Sequence, residues 1–338
     1  MNIYILNTIA IGIDSIDIIS KKISITGIIG LSNRKKSEDI SDYIYQYEYC
    51  KTRNLNFIEV DSYGLNKLTD QEKLLDLEID IIIVCGWQRL IPDWLIGHCK
   101  ICIVGSHGSP LGITKGRGRS PQNWALILGL KTFYISIFKI DKGIDSGQII
   151  STSSFDYNEF DDIKTSYYKA CLLTANMFIN SLKETDFLLN EFEKQNEAEA
   201  EYFPQRLPSD GEIDWNRSRR EIHNFVKALT QPYPGAFSMI QKNKIRILSV
   251  IPFDLAIEDD FLPGTILKIF NTKDLLVKTE ENYILITKYT LEGDSFEIKE
   301  GMQFASVSFK KQMSSIIERH KIKYKNLPVS KLLYDLCI

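Results

Sequence analysis

Apolar and polar residues alternate in blocks along the first half of the chain. Runs at Asn2–Leu6, Ile23–Gly30, Phe57–Val60, Ile79–Cys85 and Lys100–Val104 predict strands, and Leu68–Leu77 and Pro121–Leu128 predict helices. Ile81-Ile82-Ile83-Val84 is continuously apolar and β-branched, which suits a strand covered on both faces, as in a parallel sheet. Strands that alternate with helices imply right-handed βαβ units and an open sheet. In such sheets ligands sit at the carboxyl ends of strands, near a switch in strand order. The turns after Val84 and Val104 are therefore the places to look for a site.

A further strand is expected at Phe133–Ile140, then a long helix at about Asp161–Gln195 that ends in the acidic run Asn196–Glu201. From there the texture changes. The spacing predicts a helix at Arg219–Leu229 and, after Pro232-Tyr233-Pro234-Gly235, short alternating runs at Ala236–Ile240, Lys244–Val250, Gly264–Ile269, Leu275–Thr279 and Tyr283–Thr287. Those runs read as a small antiparallel barrel or sandwich. Short helices are expected at Ile316–Lys321 and Pro328–Leu336. The fold class is thus α/β: an open, mostly parallel sheet domain over residues 1–201, a linker over 202–218, and a β-barrel-like domain with terminal helices over 219–338.

Composition narrows the function. The chain has 338 residues, 44% of them hydrophobic, and a net charge of −3. It has enough apolar residues for a core, and bulk charge argues against nucleic-acid or membrane-surface binding. No apolar run reaches the roughly 20 residues of a membrane span. Met1–Ala10 lacks a basic region and a small-residue cleavage site, so no secretory signal is expected. The six cysteines are few for this length, which points to a reducing cytoplasm and no disulfide framework. Cys99 and Cys102 form a Cys-x-x-Cys pair with no second pair. They read as core thiols, and no metal site is expected.

The densest chemistry lies between Gly105 and Gly147. His107 follows an apolar strand, and its ordinary pKa of about 6.5 lets it give or take a proton near neutrality. Glycines at 105, 108, 112, 116 and 118 permit close backbone approach to a ligand. Asp145 sits in a Gly-x-Asp-x-Gly turn and is placed to fix the His107 tautomer or order a water. Each has a plainer reading alone: His107 as a loop histidine, Asp145 as a turn former, and Lys115, Arg117 and Arg119 as a solvated basic loop. The turn Asn7–Gly12 lacks the Gly-x-Gly-x-x-Gly fingerprint, which sets aside a nicotinamide dehydrogenase.

Taken together, His107-Gly108-Ser109-Pro110-Leu111, Arg117-Gly118-Arg119-Ser120-Pro121-Gln122-Asn123-Trp124 and Asp145-Ser146-Gly147 resemble the 10-formyltetrahydrofolate-dependent formyltransferases. The Arg-Gly-Arg block is most similar to that of members acting on UDP-4-amino-arabinose. Gly211-Glu212-Ile213-Asp214-Trp215 and Pro232–Ser238 resemble the junction and barrel start of two-domain members. The resemblance implies a Rossmann-like formyltransferase sheet, with His107 and Asp145 as the catalytic pair. It further implies that Gly86, Trp87, Gln88, Arg89 and Leu90 line the pterin pocket. The implied co-substrate is 10-formyltetrahydrofolate and the acceptor a nucleotide-linked amino sugar destined for surface polysaccharide, with no metal. Ser109, Arg117, Arg119, Asn123, Trp124 and Tyr202 are candidates for the sugar nucleotide, and Phe203 for stacking a base. Two-domain relatives also suggest a homodimer.

One position departs from the family pattern Asn-x-His: Gly105 stands where the asparagine that helps bind the oxyanion is expected. Loss of such a donor costs on the order of 100- to 1000-fold in rate. Ser106, Gln88, Asn123, a backbone amide or protonated His107 are candidate substitutes. Three other readings stay open: a methionyl-tRNA formyltransferase, a hydrolase that releases formate, and a folate- or nucleotide-binding homologue with weakened chemistry. Residues 301–338 hold seven Lys/Arg and two Asp/Glu, which a tRNA reading could use. A solvated helical face or a dimer contact is the plainer account.

Overall fold

The structure is a computed structural model, and it describes the chain except residues 36–39, 41, 184–187, 256–259, 294–295 and 338. The elements run β1 (Ile3–Leu6), α1 (Ala10–Ser20), β2 (Gly27–Leu31), α2 (Tyr47–Thr52), β3 (Asn56–Val60), α3 (Leu68–Leu75), β4 (Ile81–Val84), α4 (Asp93–His98) and β5 (Cys102–Ser109). Then come β6 (Arg117–Gly118), α5 (Pro121–Ile127), β7 (Thr132–Lys139), β8 (Ile149–Asp156), α6 (Ile163–Leu182) and β9 (Tyr202–Phe203). The second half holds α7 (Arg219–Leu229), β10 (Ala236–Ile240), β11 (Asn243–Phe253), β12 (Ile266–Ile269), β13 (Leu275–Lys278), β14 (Tyr283–Glu292), α8 (Phe309–Lys323) and α9 (Lys331–Tyr334).

Two compact units divide the chain. The first comprises Met1–Arg117, Tyr134–Phe155 and Tyr167–Ala200; the second comprises Gly118–Phe133, Asp156–Ser166 and Glu201–Ile338. The first is built on a seven-stranded sheet of order β3-β2-β1-β4-β5-β7-β8. Its first five strands pair in parallel, with Tyr4 beside both Gly27 and Ile82, and β5 pairs antiparallel with β7. Strand order reverses between β1 and β4, so the chain leaves Leu6 and Val84 side by side in opposite directions of winding. That is the crevice position where open α/β sheets take ligands. Ile81, Ile82 and Ile83 are fully buried, as a two-face-covered strand requires.

The second unit carries an antiparallel sheet of order β10-β11-β14-β13-β12. Trp215 stacks on Phe304 at 5.1 Å and donates its ring N–H to the Ser238 hydroxyl at 3.1 Å, so a residue of the expected linker lies in the core of this unit. Helix α7 starts with a capping box in which Ser218 and Glu221 satisfy each other's backbone N–H, a device written plainly as Ser-x-x-Glu.

Several elements differ from the sequence expectation. The long helix ends at Leu182, and a 3-10 turn at Glu197–Glu199 replaces its acidic tail; residues 184–187 lie outside the described residues. Strand β2 begins at Gly27 because the Ile23 N–H bonds the Ile19 carbonyl and closes α1. Strand β5 runs to Ser109, past the expected end at Val104, because Gly105–Ser109 pair with Phe138–Tyr134. His107 therefore lies inside a strand opposite Ser136, and not on the loop that follows it.

Candidate active site

The residues with chemistry converge in the first unit. Antiparallel pairing with β7 holds the β5 backbone around His107. The imidazole Nδ1 stands 3.4 Å from Asp145 Oδ2, with the two side chains 11% and 24% exposed. The other ring nitrogen, Nε2, lies 2.8 Å from the Gly116 carbonyl. A carbonyl only accepts, so Nε2 carries a proton in that bond, which leaves Nδ1 as the nitrogen that faces the carboxylate. Asp145 adopts a left-handed backbone, φ +52°. Aspartate adopts this conformation more readily than most residues, and the surrounding structure holds it here.

That structure comes from the turn that carries Gly116 and from the segment after α6. Gln195 Nε2 donates to the carbonyls of Asp145 and Gly147, both at 2.8 Å. Its Oε1 accepts from Thr114 Oγ1 at 3.1 Å and from Arg117 Nη2 at 2.9 Å. Arg117 is fully buried and bonds both carboxylate oxygens of Glu197, at 2.8 and 2.6 Å. The hydrogen bonds from Arg117 hold the Glu197 carboxyl below the usual carboxylate range. Gln195 and Glu197 are invisible to motif reading because their side chains bond partners about fifty residues or more away.

The segment Cys85–Pro92 leaves β4 at the switch in strand order. Gly86 has φ +103°, and a Cβ there would stand 2.2 Å from the Asn7 side-chain oxygen, so only glycine lets the loop pass. Trp87 packs edge-on against Tyr63 at 4.9 Å. The Tyr63 hydroxyl accepts the Gln88 N–H at 3.0 Å, and the Arg89 guanidinium lies 4.6 Å from the Tyr63 ring centre. Leu90 is exposed. The buried Trp87 ring N–H has no hydrogen-bond partner among the described residues. An orphan donor of that kind is met by a ligand acceptor or an ordered water.

The remaining candidates are otherwise employed. Ser109 is buried under Gly116, and its hydroxyl accepts the Leu111 N–H. Arg117 is committed to Glu197 and Gln195, so its side chain, fully buried, does not stand among the surface groups expected for the sugar nucleotide. In the second unit, Asn123 Nδ2 donates to the Ala228 carbonyl at 2.7 Å and the Trp124 ring N–H to the Pro204 carbonyl at 2.9 Å; both side chains are buried. That takes Asn123 out of contention as an oxyanion donor and both residues as ligand contacts. Tyr202 and Phe203 are buried too, Tyr202 with both backbone groups bonded to Pro328 and Ser330. Arg119 is half-buried and pairs through its backbone N–H with Phe203.

At Gly105 the structure gives a physical reason for the glycine. A Cβ built there would lie 2.5 Å from Ile140 Cδ1. Ile140 fills the space that a side chain at 105 would enter. A cavity of about 570 Å³ opens beside the Asp141–Gln148 turn and is lined by Lys139, Lys194, Gln195 and Glu197 among others; His107 and Asp145 do not line it.

Cysteine chemistry is absent from this picture. Among the described side chains the five cysteines are free, and burial pushes the Cys85 and Cys99 thiols up to about 12. Among the described residues no group of His, Cys, Asp and Glu forms a metal site, and no helix is long and apolar enough to cross a membrane.

Comparison with known proteins agrees with the fold and the order of the parts. Residues 15–180 match the family described as formyl transferase, and residues 207–302 match the formyl transferase C-terminal domain. The bifunctional polymyxin resistance protein ArnA of Wigglesworthia glossinidia brevipalpis is 35% identical over 229 residues, 67% of this chain. The chain spans about a third of that relative's length, 34%. Among solved structures, the sugar 3N-formyl transferase WlaRD, determined with dTDP and 5-N-formyl-THF present, superposes with a TM-score of 0.58 at 16% identity, covering 90% of this chain and 97% of that one. The N-formyltransferase from Helicobacter canadensis, in complex with folinic acid and dTDP-3-aminofucose, gives 0.59 at 17% identity, with 86% and 100% covered. These two likenesses speak for the fold. Because the two family profiles together cover more than half of the sequence and follow each other in the family's order, this chain belongs to the formyl transferase family.

Proposed function

We propose that this chain transfers a formyl group from 10-formyltetrahydrofolate to the amine of a nucleotide-linked amino sugar. The observation that carries the reading is the His107–Asp145 pair, 3.4 Å apart on a family-type sheet. The ligands named for WlaRD and the Helicobacter canadensis enzyme, a formylated folate with dTDP or a dTDP-amino sugar, support the substrate class. The orphan Trp87 ring N–H and the glycine-opened loop at the strand-order switch fit a flat heterocycle held mainly by backbone groups.

When bound, the folate supplies a formyl carbon activated by the nitrogen that carries it. The neutral acceptor amine attacks that carbon, a new C–N bond forms, and the bond to the folate nitrogen breaks. The proton lost by the amine ends on the folate nitrogen, giving a formamide and tetrahydrofolate. His107 is placed to move that proton, and Asp145 to orient the ring. Negative charge grows on the formyl oxygen meanwhile. Gly105 offers it no side chain, so Ser106, Gln88, backbone N–H groups and His107 are the candidates to stabilise it.

The test is to incubate the protein with 10-formyltetrahydrofolate and a panel of amino-sugar nucleotides and to read products by mass. Gain of one formyl group on one acceptor supports the reading. Formate release without any acceptor product would replace it with hydrolysis.

A further inference from the structure

We infer that Gln195 is a positioning residue that holds Asp145 against His107. The inference rests on the formyl-transfer reading for its chemistry, but its geometry stands separately. The Gln195 amide makes five hydrogen bonds. Its nitrogen spans the carbonyls of Asp145 and Gly147, the residues on either side of Ser146, and its oxygen takes Thr114 Oγ1, Arg117 Nε and Arg117 Nη2. The orientation is fixed by its surroundings: turned over, the amide NH₂ would meet the guanidinium and the oxygen would meet two carbonyls.

The amide therefore ties together the two sides of the imidazole. On one side, Thr114 and Arg117 flank Gly116, whose carbonyl bonds His107 Nε2. On the other, Asp145 turns its carboxylate to His107 Nδ1 from a left-handed backbone. Gln195 bonds the carbonyl of that same left-handed residue. Arg117 anchors the amide, and its own position is set by Glu197, two residues beyond Gln195. One segment after α6 thus fixes both walls of the histidine site without touching the imidazole.

The two halves of the amide are separable. Gln195→Glu keeps an acceptor for Thr114 and Arg117 but loses both donors to Asp145 and Gly147. Gln195→Met loses both functions at similar volume. We expect Gln195→Glu to fold, since Arg117 still pairs with it, but with a lowered thermal midpoint because an oxygen now faces the two carbonyls; it should lose about 10- to 100-fold in kcat and keep KM for the folate within about twofold. Gln195→Met should lose kcat and stability together. In an Asp145→Asn background, adding Gln195→Glu should cost no further kcat, since a residue acting only through Asp145 has nothing left to position.

A second readout needs no turnover: the ring Cε1–H chemical shift of His107, assigned with His107→Asn. It should move in Gln195→Glu in the direction that Asp145→Asn moves it. Additive losses in the double variant, or an unmoved ring shift with kcat within about threefold of wild type, would overturn the inference. If the wild-type protein formylates no acceptor, the functional reading fails and the ring shift alone decides the positioning claim.

Discussion

Gly105→Asn restores the residue that the family pattern expects, and the structure says it will not restore the function. The new Cβ arrives 2.5 Å from Ile140 Cδ1, well inside contact distance. Ile140 is half-buried, packs on the apolar cluster that includes Ile103, and immediately precedes the turn that ends in Asp145. Its terminal methyl can swing away, but the remaining carboxamide atoms must also find room. Inserting that volume into a packed site costs about 1–3 kcal/mol. Displacing Ile140 also disturbs the turn that aims Asp145 at His107. The expected result is a thermal midpoint several degrees lower together with a formyl-transfer rate below wild type. Combining the change with Ile140→Ala removes the obstructing atoms. The double variant should recover transfer relative to Gly105→Asn alone, and a donor that reaches the oxyanion would raise kcat by up to about 100-fold. Thermal unfolding and steady-state transfer, measured on all four proteins, decide the matter. If Gly105→Asn alone is as stable as wild type and faster, the account of Ile140 as the occupant of that space is refuted.

Three further outcomes are expected. Trp124→Phe removes the bond to Pro204 inside a full core and should cost about 2–4 kcal/mol in stability while leaving nucleotide affinity unchanged by calorimetry; a selective loss of affinity would return Trp124 to the ligand site. Arg117→Met should cost roughly 2 kcal/mol, since it leaves the Gln195 oxygen short of its main donor, and urea unfolding reads it. Burial pushes the His223 imidazole from 6.5 down to about 4, with Lys227 adding repulsion. The unfolded chain therefore binds a proton that the fold refuses between those values, so stability is full above pH 6.5 and falls as the pH drops toward 4, by roughly 1–3 kcal/mol. His223→Gln should flatten that acid dependence.

Much of the sheet domain was readable because its central strands are unbroken β-branched runs. Ile81–Val84 could hardly form anything else, and the spacing of α7 gave its bounds, Arg219–Leu229, as the structure has them. What was not readable had identifiable causes. Helix α1 is written Ala-Ile-Gly-Ile-Asp-Ser-Ile-Asp-Ile-Ile-Ser, β-branched and glycine-bearing residues that do not favour a helix; tertiary burial of Ile16 and Ile19 holds it in place. Strand β8 and the extension of β5 were hidden by serine and glycine, whose strand character comes from pairing with β7 and not from propensity. In the candidate site, local chemistry marked His107 and Asp145, and the structure places their side chains 3.4 Å apart. The motif block Arg117–Trp124 was singled out as well, but Arg117, Asn123 and Trp124 are buried, and residue type alone does not report burial. Gln195 and Tyr63 act through contacts far apart in sequence, so nothing near them in the chain marks their part.

The central claim is that the His107–Asp145 pair performs the proton transfer of formylation. It is tested most directly by single-turnover transfer from 10-formyltetrahydrofolate to the accepted amino-sugar nucleotide, compared between wild type and His107→Asn with folate binding checked in both. The account predicts that His107→Asn binds folate within a few-fold of wild type and transfers at least about 100-fold more slowly. Equal transfer rates in the two proteins would contradict it.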